Sequence, residues 1–360
     1  MRQGKIVTAR NRVPCWVPEG EKRGIADLLD GRGTLFSRCT VGKYEIDSFY
    51  CPRCKKILID ADLKLERAKN AKGDFMSEQM MQKERDVMAK VAEPQTVESL
   101  LRDLAALGIA QGDTLLVHCS LSSLGWVCGG AQAVNLALRQ AVGAQGTLVM
   151  PAQTNENSDP AEWEAPPVPK EWVETIRQNM PGFDPASSPS RGMGRVAELF
   201  RTLPGSLRSG HPQVSFAANG PLAEEIVASH PLSPQFGVES PLGALYRLGK
   251  AGKPVKILLL GVGYGNCTAF HLAETLWGEG ETARIGAAVL ENGERRWVWF
   301  TDLEPDADDF PALGAAYEAS PAPAVKTGKI GAAECRLAEF VPAVDFAREW
   351  FLANRRETKR

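Results

Sequence analysis

The amino-acid sequence predicts an α/β protein with a small cysteine-containing extension at its amino-terminal end. From about residue 93 onward, strand-length apolar runs alternate with amphipathic helical patterns, which is typical of a sheet covered by helices. Four of the eight cysteines lie before residue 63. We therefore divide the chain into a cysteine-containing segment at 1–62, a charged helical linker at 63–92 and an α/β domain at 93–360.

The composition excludes several classes of protein. With 44% hydrophobic and 24% charged residues, the chain resembles ordinary globular proteins. It contains no apolar run near the ~20 residues that span a bilayer. Its first residues, MRQGKIVTARNRVPCWVPEG, lack the apolar core of a secretion signal. We therefore expect a cytoplasmic protein with reduced cysteines and no membrane partner.

Charge is distributed unevenly along the chain. Residues 1–90 contain 19 Lys and Arg against 13 Asp and Glu, whereas the remaining residues contain 23 against 31. The α/β domain is therefore acidic. An acidic surface argues against nucleic acid as the main ligand and favours cationic small molecules.

The elements of the α/β domain begin with a helix. Thr96 and Ser99 have the spacing of a helix start, apolar residues then recur every three or four positions, and Gly108 ends the pattern. A buried strand (DTLLVHCS), a helix (GAQAVNLALRQAVG) and a second strand (GTLVMPAQ) follow. The alternation continues with a strand (VKILLLGVG) and a helix (FHLAETLW). A strand (RRWVWFTDLE) and an amphipathic helix (VPAVDFAREWFLANRR) are predicted near the carboxyl end.

The segment 151–191 does not follow this alternation. It contains proline, tryptophan and acidic residues with little periodicity, and we interpret it as a functional excursion over the edge of the sheet. Its acidic cluster consists of Glu156, Asp159, Glu162 and Glu164. Such a cluster, with Trp163 beside it, is either a solvated loop or a binding site for a polyamine-like ligand.

The cysteine-containing segment has half of a zinc site. Cys51 and Cys54, in CPRCKK, have the spacing of two tetrahedral zinc ligands, and Cys15 and Cys39 are candidates for the other two. Residues 1–62 resemble a small bacterial zinc-ribbon-like domain of unknown function, in which a first cysteine pair precedes the part matched here. The resemblance implies a truncated domain with zinc as a possible cofactor. A regulatory or nucleic-acid-binding role for this basic end stays open.

Two of the four histidines are predicted to lie where ligands bind in α/β proteins. His118 and His271 each lie at the carboxyl end of a predicted strand. His271 also begins a helix, where the helix dipole favours a neutral imidazole, as a general base requires. Either Glu274, one turn further along, or Glu239, in another loop, is expected to orient the imidazole. His230 is interpreted as structural.

The loop SLSSLGWV offers hydroxyl and backbone N–H groups to a ligand. Ser120, Ser122, Ser123 and Gly125 lie there, between a strand and a helix, and such groups bind phosphate or the amides of pantetheine. The loop is not a P-loop, because the Gly-Lys-Ser/Thr ending is missing. GVGYGN likewise lacks the full dinucleotide-binding pattern.

Several separated motifs occur together and in a fixed order. They are VHCSLSSLGWVCGG, GTLVMPAQTNENSDPAEWEAPPVPKEW, the run from MPGFDP to FAANG, ESPLGALY, and LLLGVG followed by NCTAFHLAE. Over residues 93–355 these motifs resemble the aminoglycoside 3-N-acetyltransferase family. The resemblance implies the antibiotic N-acetyltransferase type of α/β/α fold, which differs from the GCN5 type, and acetyl-CoA as cosubstrate.

The resemblance also implies roles for named residues. The family's base histidine falls on His271, supported by Glu239 or Glu274, and His118 lines the same site. The pantetheine and phosphates are expected to contact Ser120, Leu121, Ser122, Ser123, Leu124, Gly125, Val127 and Ser240. The antibiotic is expected to contact Glu156, Asp159, Glu162 and His211.

The function implied is acetyl-CoA-dependent N-acetylation of the 3-amino group of 2-deoxystreptamine aminoglycoside antibiotics, which confers resistance. The alternative is a related N-acyltransferase that acts on a different amine. The two differ at the acidic excursion, because a polycation requires several carboxylates and a neutral amine does not. The oligomeric state stays open.

Overall fold

The computed structural model describes residues 78–321 and 325–355, with side chains from residue 81 onward, and the backbone of five strands in the preceding part of the chain. The chain forms two compact units, Met1–Ser77 and Glu78–Arg360. The boundary between the units lies inside the predicted linker.

In the first unit, the described strands pair antiparallel. β1 (Gly4–Val7) pairs with β2 (Cys15–Pro18), while β3 (Thr34–Val41), β4 (Tyr44–Cys51) and β5 (Lys56–Ile59) form a second sheet. The side chains of the predicted zinc ligands lie outside the described residues; these are Cys15, Cys39, Cys51 and Cys54. Elsewhere, among the residues with described side chains, no three His, Cys, Asp or Glu are grouped as metal ligands.

A seven-stranded mixed sheet forms the centre of the second unit. Its strands are β6 (Thr114–Cys119), β7 (Thr147–Pro151), β8 (Leu207–Arg208), β9 (Phe216–Asn219), β10 (Val255–Leu260), β13 (Lys326–Ile330) and β14 (Ala333–Glu339), while β11 (Thr282–Glu291) and β12 (Glu294–Leu303) form a separate hairpin. The order across the sheet is β13-β14-β10-β6-β7-β9-β8. The central strands β10, β6 and β7 are parallel, and the outer strands add antiparallel pairs.

Helices cover both faces of this sheet, which confirms the predicted α/β/α fold. One face packs against α2 (Val97–Leu107), α3 (Gly130–Val142) and α5 (Gly194–Arg201). The other packs against α6 (Ala223–Val227), α7 (Pro241–Lys250), α8 (Ala269–Trp277), α9 (Phe310–Ala319) and α10 (Phe340–Asn354). Two further helices are α1 (Glu78–Met88) and α4 (Val173–Asn179). In the described part of the chain, no helix combines the length and apolarity needed to cross a membrane.

The central strands are largely apolar because both of their faces are buried. Their polar members are Thr114, His118, Thr147 and Lys256. In β6, Leu116 packs with one layer of helices, while Leu115 and Val117 pack with the other. In β10, Leu259 and Leu258 are divided between the layers in the same way. Successive side chains of a strand point to opposite faces, so a sheet covered on both sides requires the uninterrupted apolar runs seen in the sequence.

α2 begins and ends at the residues that the sequence predicts. Ser99 N donates to Thr96 Oγ1 (3.1 Å) and Thr96 N donates to Ser99 Oγ (2.9 Å), which forms a capping box. Gly108 ends the helix at φ 107°, a left-handed conformation that favours glycine.

The excursion 151–191 packs against the β11–β12 hairpin. Asn157 is buried, and its side-chain amide pairs with the backbone of Ala288: Nδ2 donates to O at 2.7 Å and Oδ1 accepts from N at 2.8 Å. Gln213 Nε2 donates to the carbonyl oxygens of Asn157 (2.8 Å) and Gly286 (3.0 Å). The predicted strand RRWVWFTDLE is therefore confirmed as β12, but it supports the excursion and is not part of the central sheet.

Candidate active site

His271 lies in the first turn of α8, the helix that follows β10. Its Nδ1 is 2.8 Å from Glu274 Oε2. The imidazole stacks on the ring of Phe236, with 4.8 Å between centroids and 16° between planes, and its centroid is 4.8 Å from that of Phe310. The carboxylate and the two aromatic rings together fix the orientation of the imidazole.

The partner of Nδ1 determines the tautomer of His271. A carboxylate only accepts hydrogen bonds, so in the neutral ring Nδ1 carries the proton and Nε2 keeps a lone pair. The side chain is 13% exposed, so the ring is largely shielded from water. The arrangement can accept a proton at Nε2 while Glu274 stabilises the imidazolium that forms.

Glu274 is the carboxylate that the fold places beside this imidazole. Residues three apart share one face of a helix, and the Glu274 side chain is only 3% exposed. Its Oε1 accepts a hydrogen bond from Asp306 N at 3.1 Å and contacts the guanidinium of Arg355. Glu239, the other predicted partner, is exposed. Within the described structure, Glu239 makes no hydrogen bond to His271.

His118 lies in β6, next to Leu259 of β10 across the parallel pair. Its Nε2 is 3.3 Å from Thr268 Oγ1. Burial, with a smaller contribution from the charge of His271, lowers the pKa of His118 to about 3. His118 is therefore neutral at physiological pH, where it can donate or accept a hydrogen bond but carries no charge.

The loop SLSSLGWV (residues 120–127), here called the serine loop, follows β6, as the sequence predicts. Ser123 Oγ donates to Gly261 O (3.0 Å) and lies 2.9 Å from Ser120 Oγ, and the Ser120 and Ser122 hydroxyl oxygens are 3.5 Å apart. Leu121 is half-buried within the same turn. The hydroxyl groups are thus held in one cluster at the carboxyl end of the central strands.

Two residues of the predicted linker contact this loop. Lys90 Nζ donates to Ser122 O at 2.8 Å. Val91 packs against Gly125 so closely that a Cβ on this glycine, at φ 82°, would lie 2.5 Å from Val91 Cγ1. The end of the predicted linker is therefore part of the α/β unit. The charged, aperiodic sequence of the linker gives no signal of this contact.

An open groove of about 520 Å³ runs beside the serine loop. Its lining includes Lys90, Ser123, residues 261–263, Glu334 and Arg336. Cationic side chains beside a glycine-containing turn are a combination that binds phosphate groups.

Four residues predicted to contact a ligand are buried instead. The side chains of Leu124 and Val127 pack in the core, which leaves only their backbone to a ligand. Ser240 is fully buried, and its Oγ caps α7 by accepting from Gly243 N at 3.4 Å. His211 is also fully buried; its Nδ1 accepts from two backbone N–H groups, each at 3.1 Å. Each of these side chains is used by the fold itself.

Two carboxylates of the acidic excursion are paired with arginine side chains. Asp159 is buried in a bidentate ion pair with Arg177 of α4, at 2.7 and 2.8 Å, and Glu156 pairs with Arg191. Glu162 is exposed. The charge of Asp159 is thus already compensated by Arg177, and its contact with an ammonium group of a substrate stays a prediction.

Comparisons with known proteins agree over the second unit. Residues 116–352 match the family model of aminoglycoside 3-N-acetyltransferases, and residues 1–63 match a domain of unknown function, DUF6487. The SPbeta prophage-derived aminoglycoside N(3')-acetyltransferase-like protein YokD of Bacillus subtilis is 44% identical over 272 residues, which cover 74% of this chain and 97% of YokD. Aminoglycoside N(3)-acetyltransferase VIII of Streptomyces fradiae is 36% identical over 283 residues, with coverages of 74% and 95%.

Solved structures give the same result. The crystal structure of YokD matches with a TM-score of 0.72 at 43% identity and covers 76% of this chain and 99% of that one. The binary complex of AAC-IIIb with CoASH matches with a TM-score of 0.63 at 32% identity, with coverages of 72% and 97%. The matched region of the family model includes both His271 and Glu274. The chain therefore belongs to the aminoglycoside 3-N-acetyltransferase family.

Proposed function

We propose that the protein transfers the acetyl group of acetyl-CoA to the 3-amino group of 2-deoxystreptamine aminoglycosides, with His271 as general base and Glu274 as its supporting carboxylate. The observation that carries the proposal is the buried His271–Glu274 hydrogen bond at 2.8 Å. It occurs in a chain whose relatives include an enzyme named as an aminoglycoside N(3)-acetyltransferase.

In the proposed reaction, the lone pair of the amine attacks the carbonyl carbon of the thioester. A C–N bond forms and the C–S bond breaks, while the amine proton passes to His271 Nε2 and from there to the sulfur of the departing CoA. Glu274 lowers the free energy of the transient imidazolium. A base positioned in this way contributes about 10²- to 10⁴-fold to the rate.

The serine loop and its groove are the proposed binding site for acetyl-CoA. The hydroxyl groups of Ser120 and Ser122 lie in the loop that follows β6, the strand that carries His118. Lys90 lines the groove beside it, where it is expected to meet the CoA phosphates. Arg336 also lines the groove but is paired with Glu318 at 2.5 Å. AAC-IIIb, a structural neighbour, has been solved with CoASH.

A related N-acyltransferase acting on a different amine is the second candidate, and one observation favours it. Asp159 and Glu156 are already paired with arginine, which leaves fewer carboxylates of the excursion free for a polycationic antibiotic. YokD is itself named an acetyltransferase-like protein. The exposed Glu162 and Glu164 are the carboxylates we expect to attract ammonium groups if the substrate is an aminoglycoside.

The test is thiol release from acetyl-CoA by the purified protein with gentamicin, tobramycin, apramycin and a simple primary amine. Release with the aminoglycosides alone supports the proposal, and mass spectrometry of the product identifies the 3-N-acetyl derivative. Release with the simple amine alone favours the second candidate. The His271→Ala variant serves as the control, because its rate must fall by at least about 10²-fold if the base acts in the chemical step.

A further inference from the structure

Arg355 connects the carboxyl end of α10 to the candidate active site. Its guanidinium contacts Glu274 Oε1 across 81 residues of chain. It also donates to both carboxylate oxygens of Asp309, at 2.8 and 2.7 Å, and to Asp306 O at 2.8 Å. The side chain is 11% exposed, and the guanidinium lies 4.0 Å from the ring centroid of Phe351. Arg355 is therefore a largely buried cation with a defined orientation.

These contacts reach two of the three groups that orient the imidazole of His271. One arm of Arg355 meets Glu274, whose other oxygen accepts from His271 Nδ1. The guanidinium also donates to Asp309, which directly precedes Phe310. The centroid of the Phe310 ring lies 4.8 Å from that of the imidazole. Arg355 thus contacts the carboxylate that orients the base and the residue next to one of the aromatic rings that orient it.

The charge of Arg355 also compensates a carboxylate that is otherwise costly to bury. Burial alone favours the protonated form of a carboxyl group, whereas a cation in contact favours the ionised form. Besides Arg355, the described groups that face Glu274 are the Asp306 N–H and the imidazole of His271.

We propose that Arg355 is a positioning residue of the acetyl-transfer site, which compensates the charge of the buried Glu274 carboxylate and holds it aimed at His271 Nδ1. The inference rests on the proposed function only for the identity of the reaction that it supports. The planar guanidinium of Arg355 is essential to this role, because a lysine can supply the charge but cannot bridge Glu274 and Asp309 in the same way.

The proposal has a consequence for proton affinity. The titratable groups around the site are Glu274 of α8, Asp306 and Asp309 before α9, Arg355 after α10, and His118 of β6. Removing the cation leaves a net negative field. An uncompensated negative charge next to an imidazole favours the protonated form of the ring. The acid limb of the pH–rate profile must therefore move to higher pH.

The kinetic experiment compares Arg355→Gln, Arg355→Lys and the control Lys250→Gln in the full chain. Lys250 also forms an ion pair with α10, to Asp345 at 3.0 Å, but on the exposed surface. We expect Arg355→Gln to lower kcat about 10- to 100-fold and to shift the acid limb upward. We expect Arg355→Lys to keep the wild-type acid limb but lose several-fold in kcat, and Lys250→Gln to behave as wild type.

A second readout needs no amine substrate. Diethylpyrocarbonate modifies neutral imidazole, so the pH midpoint of His271 modification, followed by peptide mass spectrometry, reports proton binding at the site directly. The midpoint must rise in Arg355→Gln and stay unchanged in Lys250→Gln. An unchanged midpoint in folded Arg355→Gln overturns the proposal, even if the wild type acetylates no aminoglycoside. If Arg355→Gln does not fold, a wild-type kcat in Arg355→Lys overturns it instead.

Discussion

At the scale of single residues, the function of His271 depends on which carboxylate supports it. Glu274→Gln replaces the buried acceptor that holds the Nδ1 proton, so the neutral ring can adopt the wrong tautomer and the imidazolium loses its counter-charge. We expect kcat to fall by about 10²- to 10⁴-fold with little change in KM for acetyl-CoA. Glu239→Gln is the matched control, because Glu239 is exposed; it should stay within about twofold of wild type. Equal losses in both variants would contradict the assignment.

The same site shows how far residue-level prediction extends. His271 and Glu274 could be predicted because they lie one turn apart in one helical motif. Arg355 and Phe236 could not, because they reach the imidazole from other segments of the chain. The ion pair of Asp159 could not be predicted either, since an acidic stretch of sequence does not show that Arg177 will compensate the charge of this carboxylate.

At the scale of elements, the excursion depends on the hairpin for its shape. Asn157→Ala leaves the N–H and C=O of Ala288 without their side-chain partner, and an unpaired buried polar group costs about 1–3 kcal/mol. We expect KM for the amine to rise about tenfold while KM for acetyl-CoA stays unchanged. Limited proteolysis should cut within 151–191 earlier than in wild type.

Asn179→Ala is the control for that experiment. Asn179 lies in the same excursion, but its Nδ2 donates to Thr175 O on an exposed helix, so its loss should change neither KM nor the proteolysis pattern. If Asn157→Ala resembles this control, the excursion is held by other contacts and does not depend on the hairpin.

The elements themselves were predicted to different extents for a physical reason. α2, β6 and β10 are marked by caps or by continuous apolar runs, which local sequence specifies. The short outer strands β8 and β13 carry no such signal. β13 reads KTGKI and is mostly exposed, so its conformation is set by pairing with β14.

At the scale of the whole molecule, the two units differ in their expected contribution to activity. A chain beginning at residue 78 keeps the contacts of Lys90 and Val91 with the serine loop, so we expect it to retain kcat and KM for acetyl-CoA. A chain beginning at residue 93 loses both contacts and should show a KM for acetyl-CoA about tenfold higher. Steady-state kinetics on the two truncated chains provides the measurement. A folded but inactive 78–360 chain would show that the first unit takes part in catalysis.

The stability of the whole molecule is also linked to pH through its buried histidines. Burial lowers the pKa to about 3 in His118, about 4 in His211 and about 3 in His230. In His211, Nδ1 already accepts from two backbone N–H groups, which also disfavours a proton on that nitrogen. The His211 and His230 rings also lie 4.8 Å apart, so charging one opposes charging the other.

The sign of the effect follows from these lowered values. An unfolded chain protonates its histidines below pH ~6.5, whereas the native state does not. The free energy of unfolding therefore has its full value above that pH and decreases as the pH drops toward 4. At pH 5 the loss is about 2 kcal/mol for each histidine. Urea unfolding at pH 7.5 and 5.0 measures the loss, and His211→Asn, which keeps an acceptor near Nδ1 but does not titrate, must show a smaller difference between the two pH values than wild type. An equal difference would mean that His211 is protonated in the native state, and that the acceptor geometry at Nδ1 does not control its charge.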